Sequence, residues 1–170
     1  MNPVKPGRGL VSVLPEALKN AGAAGTLLNH TEKRITLSEI SRTIKRADEA
    51  GLATLVCADS PEEAAAIAQL RPNMILAEPP DLIGSNKAVG KGFIEKTISL
   101  VKNIDPEIII FNSAGIKTAE DVRKVIMLGA EGTGSTSGIL KAKDPYRVME
   151  EMIFALKDAW QKKYSGLKTD

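Results

Sequence analysis

Two residues that follow short apolar runs could together carry out proton transfer. Glu78 directly follows the run Met74–Ala77, and the two prolines after it prevent further strand pairing. His30, the only histidine, follows the apolar residues 24–28 after one asparagine. If both runs are strands of one parallel sheet, they end at the same edge of that sheet. There Glu78 as a base and His30 as an electrophile could face one substrate carbon. From the residues alone, Glu78 could instead be a solvated loop carboxylate and His30 a structural histidine.

Two later segments are rich in small residues at positions where strands are expected to end. They are Asn112-Ser113-Ala114-Gly115 and Gly132-Thr133-Gly134-Ser135-Thr136-Ser137-Gly138. Exposed backbone amides in such segments can bind a phosphate group. No Walker motif or G-x-G-x-x-G follows a strand in the right frame, so ordinary flexible turns remain the alternative.

Composition excludes several classes of function. The net charge is +2, and the 26% of charged residues mix both signs, so no basic stripe for nucleic acid is present. The sequence has no apolar run long enough to span a membrane and no signal-peptide core at its start, which predicts a cytoplasmic protein. One histidine without a cysteine cluster predicts no metal site, and Cys57 is expected to be a buried strand residue rather than a nucleophile.

The elements that must position these residues alternate along the chain. Capping signals and apolar periodicity predict helices at residues 15–21, 37–50, 61–70, 92–103, 118–128 and from 145 onward. Short apolar runs predict strands at 24–28, 53–57, 74–77, 107–111 and, weakly, 131–135. Such alternation predicts five parallel strands with flanking helices in one domain. A doubly wound sheet and part of an eight-stranded barrel are both compatible with the pattern.

The motifs at these strand ends resemble triose-phosphate isomerase in its shorter archaeal form. The matching segments are G-T-L-L-N-H-T-E-K-R at 25–34, A-E-P-P-D-L-I-G at 77–84, and S-G-I-L-K-A-K-D-P at 137–145, with further matches at 115–122 and 128–132. The match runs in register over nearly the whole chain. The resemblance implies an α/β fold, an incomplete (β/α)8 TIM barrel in which residues 1–170 form one partial domain.

The resemblance also implies a mechanism and roles for individual residues. Glu78 would be the base that moves a proton between adjacent carbons of dihydroxyacetone phosphate, giving glyceraldehyde 3-phosphate through an enediolate. Neutral His30 would polarise the carbonyl, and Asn29 and Glu32 would support it. The loop at 79–88 would be a lid that excludes water. No metal or organic cofactor is required.

The substrate phosphate would be held by small residues at three strand ends, as the same resemblance implies. These residues are Gly84, Ser85, Ser113, Gly115, Lys117, Ser137 and Gly138. Lys117 stands where the family has a serine. It could pair with the phosphate dianion or be solvated.

The resemblance begins after the family's third strand, and this predicts a change in assembly. The first strand of the family carries an asparagine and a lysine that hold substrate oxygens. A five-stranded part of a barrel exposes two sheet edges and its interior face, so we expect a homo-oligomer or a complementing chain. Two functions follow: an isomerase whose missing strands come from elsewhere, or a non-catalytic remnant or interaction module of the same fold.

Overall fold

The computed structural model describes residues 13–82 and 89–165 and contains a parallel sheet. Its four strands, in spatial order, are β1 (Gly25–Leu28), β2 (Ala53–Ala58), β3 (Met74–Ala77) and β4 (Ile109–Phe111). All three pairings are parallel, with Leu28 opposite Val56, Val56 opposite Ile75 and Ile75 opposite Ile110. The predicted α/β fold is therefore confirmed, with four parallel strands and flanking helices arranged as in part of a (β/α) barrel.

Helices connect successive strands, and two of these three connections begin at a side-chain N-cap, the exception being the helix that starts after Gly90. The helices are α1 (Pro15–Asn20), α2 (Leu37–Glu49), α3 (Pro61–Ala68), α4 (Lys91–Ile104), α5 (Ala119–Met127), α6 (Ser137–Leu140) and α7 (Pro145–Tyr164). The capping box predicted at Thr36 and Glu39 is present, and Thr118 forms a second one with Asp121. Reciprocal side-chain bonds of this kind satisfy the amides that the first helical turn leaves unpaired.

The core lies between one face of the sheet and the helices. Alternation along each strand turns Val56, Ile75 and Ile110 to this face, where all three are buried. A second apolar cluster lies between α5 and α7 and includes Val122, Ile126 and Met152. These two clusters hold the strand ends in fixed positions.

The opposite face of the sheet has no layer on it among the described residues. Leu27 is 46% exposed and Ile109 is 41% exposed, although each belongs to an apolar strand. The continuous apolar run within 107–111 predicts a strand that is buried on both faces, and this prediction is wrong for Ile109. Its side chain points to the face that a closed barrel would bury.

The fifth predicted strand is reduced to a single bridge between Phe111 and Gly132. Glu131 and Gly132 donate backbone hydrogen bonds to Ile110, but the segment then continues through Gly134 and Ser135. These residues supply little apolar surface for a pleated strand. Gly132 itself is required because a Cβ there would lie 2.5 Å from the Phe111 ring.

Two local expectations also need correction. The proline pair at 79 and 80 predicts that no helix follows β3, but Pro80–Leu82 forms one 3-10 turn, since a proline is tolerated in a first turn. In α7, apolar periodicity predicts that Met152, Ile153 and Trp160 share one face, but Met152 is buried whereas Ile153 and Trp160 are exposed. Ala155 and Ala159 occupy the buried side instead and allow α5 to approach closely.

None of the helices among residues 13–82 and 89–165 is both long enough and apolar enough to cross a membrane.

Candidate functional site

A cavity of about 360 Å³ lies over the carboxyl ends of the strands. His30 and Glu78 both line it, so the two residues with the best proton-transfer chemistry share one space. Apolar side chains of the uncovered sheet face form its floor, and small residues at 113–117 and 133–137 form its rim. The parallel sheet produces this grouping because every strand ends on the same side.

Glu78 is held where β3 ends. Its backbone N–H donates to the Ala58 carbonyl oxygen at 2.9 Å, which extends the ladder to β2 by one bond. The side chain is half-buried, and this burial raises the pKa of the carboxyl above its ordinary value, with a smaller opposing electrostatic effect from nearby His30. A less solvated carboxylate is a stronger base than an exposed one.

Asn112 fixes the residue before Glu78 from the neighbouring strand. It is only 2% exposed, and its Nδ2 donates to the Ala77 carbonyl oxygen at 3.2 Å. Its Oδ1 is buried without a hydrogen-bond partner among the described residues. Asn112 thus links the ends of β3 and β4 at the residue that precedes Glu78.

The contacts of His30 define which ring nitrogen carries the proton. Its Nδ1 accepts a hydrogen bond from the Glu32 backbone N–H at 3.3 Å. An accepting Nδ1 assigns the proton of the neutral imidazole to Nε2. The Glu32 carboxylate lies 3.8 Å from Nδ1, but it is exposed, so the backbone bond is the better-defined contact.

Asn29 positions His30 from the preceding residue. Its φ of +59° is a left-handed conformation that asparagine tolerates better than most residues. The buried side chain donates to the Cys57 carbonyl oxygen at 3.0 Å and accepts from the Ile35 N–H at 3.1 Å. These bonds tie the end of β1 to β2 and hold the turn that contains the imidazole.

Arg34 closes the same network, which sequence reasoning did not find. Its Nη1 donates to the Asn29 carbonyl oxygen at 3.0 Å, and Nη2 lies 2.6 Å from Glu63 and 3.0 Å from Asp59. The planar guanidinium can hold a carbonyl and two carboxylates at once. The motif around His30 contains Arg34, but its carboxylate partners lie in the next β/α unit.

The predicted phosphate-binding residues are distributed around the rim of the cavity. Ser113, Gly115, Lys117 and Ser137 line it. Gly138 does not, but a Cβ there would lie 2.7 Å from the Ile116 carbonyl oxygen, so glycine lets the two loops approach. The predicted contributors Gly84 and Ser85, with most of the lid, lie outside the described residues.

Cys57 lies beside this site but has the properties of a core residue. Burial, reinforced by the nearby Glu78 carboxylate, raises the pKa of its thiol to about 12. A thiol with that pKa stays protonated at neutral pH and is a poor nucleophile.

Comparisons with known proteins agree on one family. The family model described as "Triosephosphate isomerase" matches residues 9–153. The chain is 44% identical over 145 residues to a triosephosphate isomerase of Methanobacterium bryantii, covering 84% of this chain and 64% of the relative. It is 40% identical over 156 residues to that of Methanothermus fervidus, covering 90% of this chain and 70% of the relative. The chain thus spans about two thirds of the length of these relatives.

A solved structure supports the fold independently of close sequence similarity. The structure of 3-hexulose-6-phosphate synthase from Salmonella typhimurium superposes with a TM-score of 0.64 at 20% identity. The match covers 85% of this chain and 67% of that chain.

Proposed function

Because the chain belongs to the triosephosphate isomerase family, we propose that its site interconverts dihydroxyacetone phosphate and glyceraldehyde 3-phosphate. The observation that supports this most strongly is the shared cavity, in which Glu78 and His30 lie beside a rim of small residues. A base, an electrophile and a phosphate cradle are the three parts that such an isomerisation needs.

Glu78 acts as the base in this proposal. It removes a proton from the carbon next to the carbonyl, and the C–H electron pair forms the carbon–carbon double bond of an enediolate. The proton then returns to the former carbonyl carbon, while the hydroxyl proton passes from its own oxygen to the former carbonyl oxygen, which leaves a carbonyl group at the carbon that lost its proton. Burial raises the pKa of the carboxyl and so makes the carboxylate a stronger base, and the bond from Asn112 to the Ala77 carbonyl oxygen holds the backbone that precedes Glu78.

His30 acts as the electrophile, with Asn29 and Glu32 in support. Since Nδ1 accepts the Glu32 amide, Nε2 holds the proton that can be shared with the substrate carbonyl oxygen. Negative charge that develops on this oxygen is then stabilised by a neutral donor.

The substrate phosphate binds at the rim, at Ser113, Gly115, Lys117, Ser137 and Gly138, with Gly84 and Ser85 completing the set from the lid. Lys117 supplies the positive charge. Its backbone N–H donates to the Asp121 side chain at 3.1 Å, which anchors the turn at the start of α5. An ammonium group on a phosphate dianion provides a charge-assisted contact that the family's serine does not.

Lys117→Met is therefore expected to raise KM for the triose phosphate by about 10-fold with little change in kcat. The reason is that a hydrogen bond to a charged group contributes about 1.5–3 kcal/mol to binding. Steady-state kinetics would measure this, with inorganic phosphate as a competitive inhibitor. Lys124→Met, on an exposed part of α5, is the control. An unchanged KM would assign Lys117 to solvent.

The active assembly requires a closed barrel, since the uncovered sheet face and the two sheet edges border the site. We propose that second copies or a complementing chain supply the remaining strands. The exposed Leu27 and Ile109 support association. They also favour the second candidate, a non-catalytic interaction module.

The cytoplasmic location stays an expectation from the sequence.

Proton exchange separates the two candidates. In D2O, the assembled isomerase is expected to replace a carbon-bound hydrogen of dihydroxyacetone phosphate with deuterium, as followed by proton NMR. This exchange needs only the first half of the reaction. A non-catalytic module would exchange no faster than buffer.

A further inference from the structure

The peptide unit that joins Ala77 to Glu78 is held at both of its polar atoms. On the β2 side, the Glu78 N–H donates to the Ala58 carbonyl oxygen at 2.9 Å. On the β4 side, the Ala77 carbonyl oxygen accepts from Nδ2 of Asn112 at 3.2 Å. Because a peptide unit is planar, two bonds from opposite neighbours fix its orientation. Pro79 restricts the backbone of Glu78 on its other side, so the direction of the Glu78 side chain depends on these two bonds.

The bond on the β4 side comes from a side chain because the main chain of β4 has another partner at this point. β3 and β4 pair in register up to Leu76 and Phe111. The backbone N–H of the next residue, Asn112, donates to the Gly132 carbonyl oxygen at 3.1 Å, so it is not available to β3. The side-chain amide of Asn112 makes the bond to β3 instead.

Asn112 is itself held firmly. Its carbonyl oxygen accepts a hydrogen bond from the Thr133 hydroxyl at 2.7 Å, and the residue is almost fully buried. With the bond to Gly132, its main chain is fixed at both polar atoms. A buried side chain on a fixed backbone has few rotamers open to it, so Nδ2 is kept on the Ala77 carbonyl oxygen.

The second polar atom of the Asn112 side chain indicates that stability alone does not account for this residue. Its Oδ1 is buried without a hydrogen-bond partner among residues 13–82 and 89–165. A buried polar atom without a partner lowers the stability of the folded chain, and such atoms are uncommon. An apolar residue would avoid this cost, but it could not donate to the Ala77 carbonyl oxygen.

We propose that Asn112 is a positioning residue for Glu78, because its side-chain amide fixes the peptide unit that carries the base. This inference rests on the proposed role of Glu78. Asn112 is not among the residues that line the cavity, so it acts through the backbone rather than by contact with the substrate. Loss of its amide is expected to disturb the base and to leave phosphate binding at the rim unchanged.

Asn73 provides a matched control at the opposite end of the same strand. It directly precedes β3, and its Oδ1 accepts from the Thr54 N–H at 2.8 Å, which joins β3 to β2 through a side chain. Asn112→Ala and Asn73→Ala therefore each remove a side-chain link between neighbouring strands. Both variants are expected to melt at a lower temperature than the unmodified chain, but only Asn112→Ala should alter Glu78.

The titration of the Glu78 carboxyl reports its surroundings without any substrate. The full chain would be prepared with ¹³C-labelled glutamate, and the Glu78 signal would be identified by its absence from Glu78→Gln. Its chemical shift would be followed by NMR from about pH 3 to about pH 9. Among the residues that the structure describes, His30 and Cys57 are the titratable groups that interact with this carboxyl, and both are kept in every variant.

Asn112→Ala is expected to lower the pKa of Glu78 toward its ordinary value. Burial raises this pKa in the unmodified chain, and a carboxylate that is no longer held in place gains access to water. Asn73→Ala should leave the pKa unchanged.

Steady-state kinetics provides a second measurement. Asn112→Ala is expected to lower kcat at least about 10-fold, since a misplacement of about 1 Å can cost about 10²-fold in rate. KM should stay within about twofold because the rim is intact. Asn73→Ala should keep both constants.

Two results in folded protein would overturn the proposal: an unchanged Glu78 titration in Asn112→Ala, or an equal shift in Asn73→Ala. If Asn112→Ala does not fold, Asn112→Thr preserves the side-chain volume without the amide and is measured in its place. Failure of both variants to fold would also overturn the proposal, because it would make Asn112 a structural residue. The titration needs no substrate, so an inactive unmodified chain would contradict the proposed function and leave this test intact.

Discussion

Glu78→Gln is expected to lower isomerase activity by at least about 10³-fold, because the amide cannot accept the substrate proton. The amide has nearly the same size and shape as the carboxyl group, so the cavity and the sheet should be unchanged. Activity would be measured with a coupled enzyme assay and the fold by circular dichroism. Glu107→Gln, an exposed carboxylate before β4, is the matched control and should retain full activity.

The same variant should gain thermal stability at alkaline pH. Burial raises the folded-state pKa of Glu78, so the folded chain loses stability as pH rises from the ordinary carboxyl pKa of about 4.3 through that raised value. The glutamine variant escapes this loss. Its melting temperature should therefore exceed that of the unmodified chain at pH 8, and the difference should shrink below about pH 4. A variant that unfolds, or is less stable at pH 8, would make Glu78 a structural residue.

His30→Gln is expected to lower kcat by about 10²-fold with a smaller change in KM. The neutral imidazole donates from Nε2 to an oxygen whose negative charge grows only as the reaction proceeds, so its loss affects the transition state more than the bound substrate. Steady-state kinetics would separate the two constants. Lys33→Gln, an exposed neighbour in the same turn, is the control.

A different outcome for His30→Gln would change the role assigned to His30. Equal losses in kcat for the histidine and control variants would show that the turn as a whole is disturbed. A higher KM with full kcat would make His30 a substrate-binding residue and leave the carbonyl without an electrophile.

The sequence correctly predicted where β1, β3 and β4 end, but it did not predict the side-chain contacts around those ends. Glu78 could be placed because an apolar run stops at two prolines, and these signals are local. Thr36 and Glu39 could be paired because a capping box spans four residues. Parallel strands then bring Glu78 and His30 together by topology, without any detailed knowledge of packing.

The supporting network could not be predicted because its members are far apart in the chain. Arg34 meets Glu63 and Asp59 only after α2 and β2 have folded between them. The bond from Asn112 to Ala77 likewise depends on the register of β3 with β4. Nothing in the composition of either segment signals such a contact.

The exposed side of α7 was missed for a different reason. Periodicity finds an apolar stripe but does not tell whether anything covers it. Ile153 and Met152 look equally suited to a core, and only the position of α5 decides that Met152 is buried.

The most direct test of the proposed function is a coupled isomerase assay of the full chain over a range of protein concentrations, run beside Glu78→Gln. We expect activity that rises more than linearly with protein concentration and is absent from the variant at every concentration. If the unmodified chain is no more active than the variant at any concentration, this chain has no isomerase function of its own.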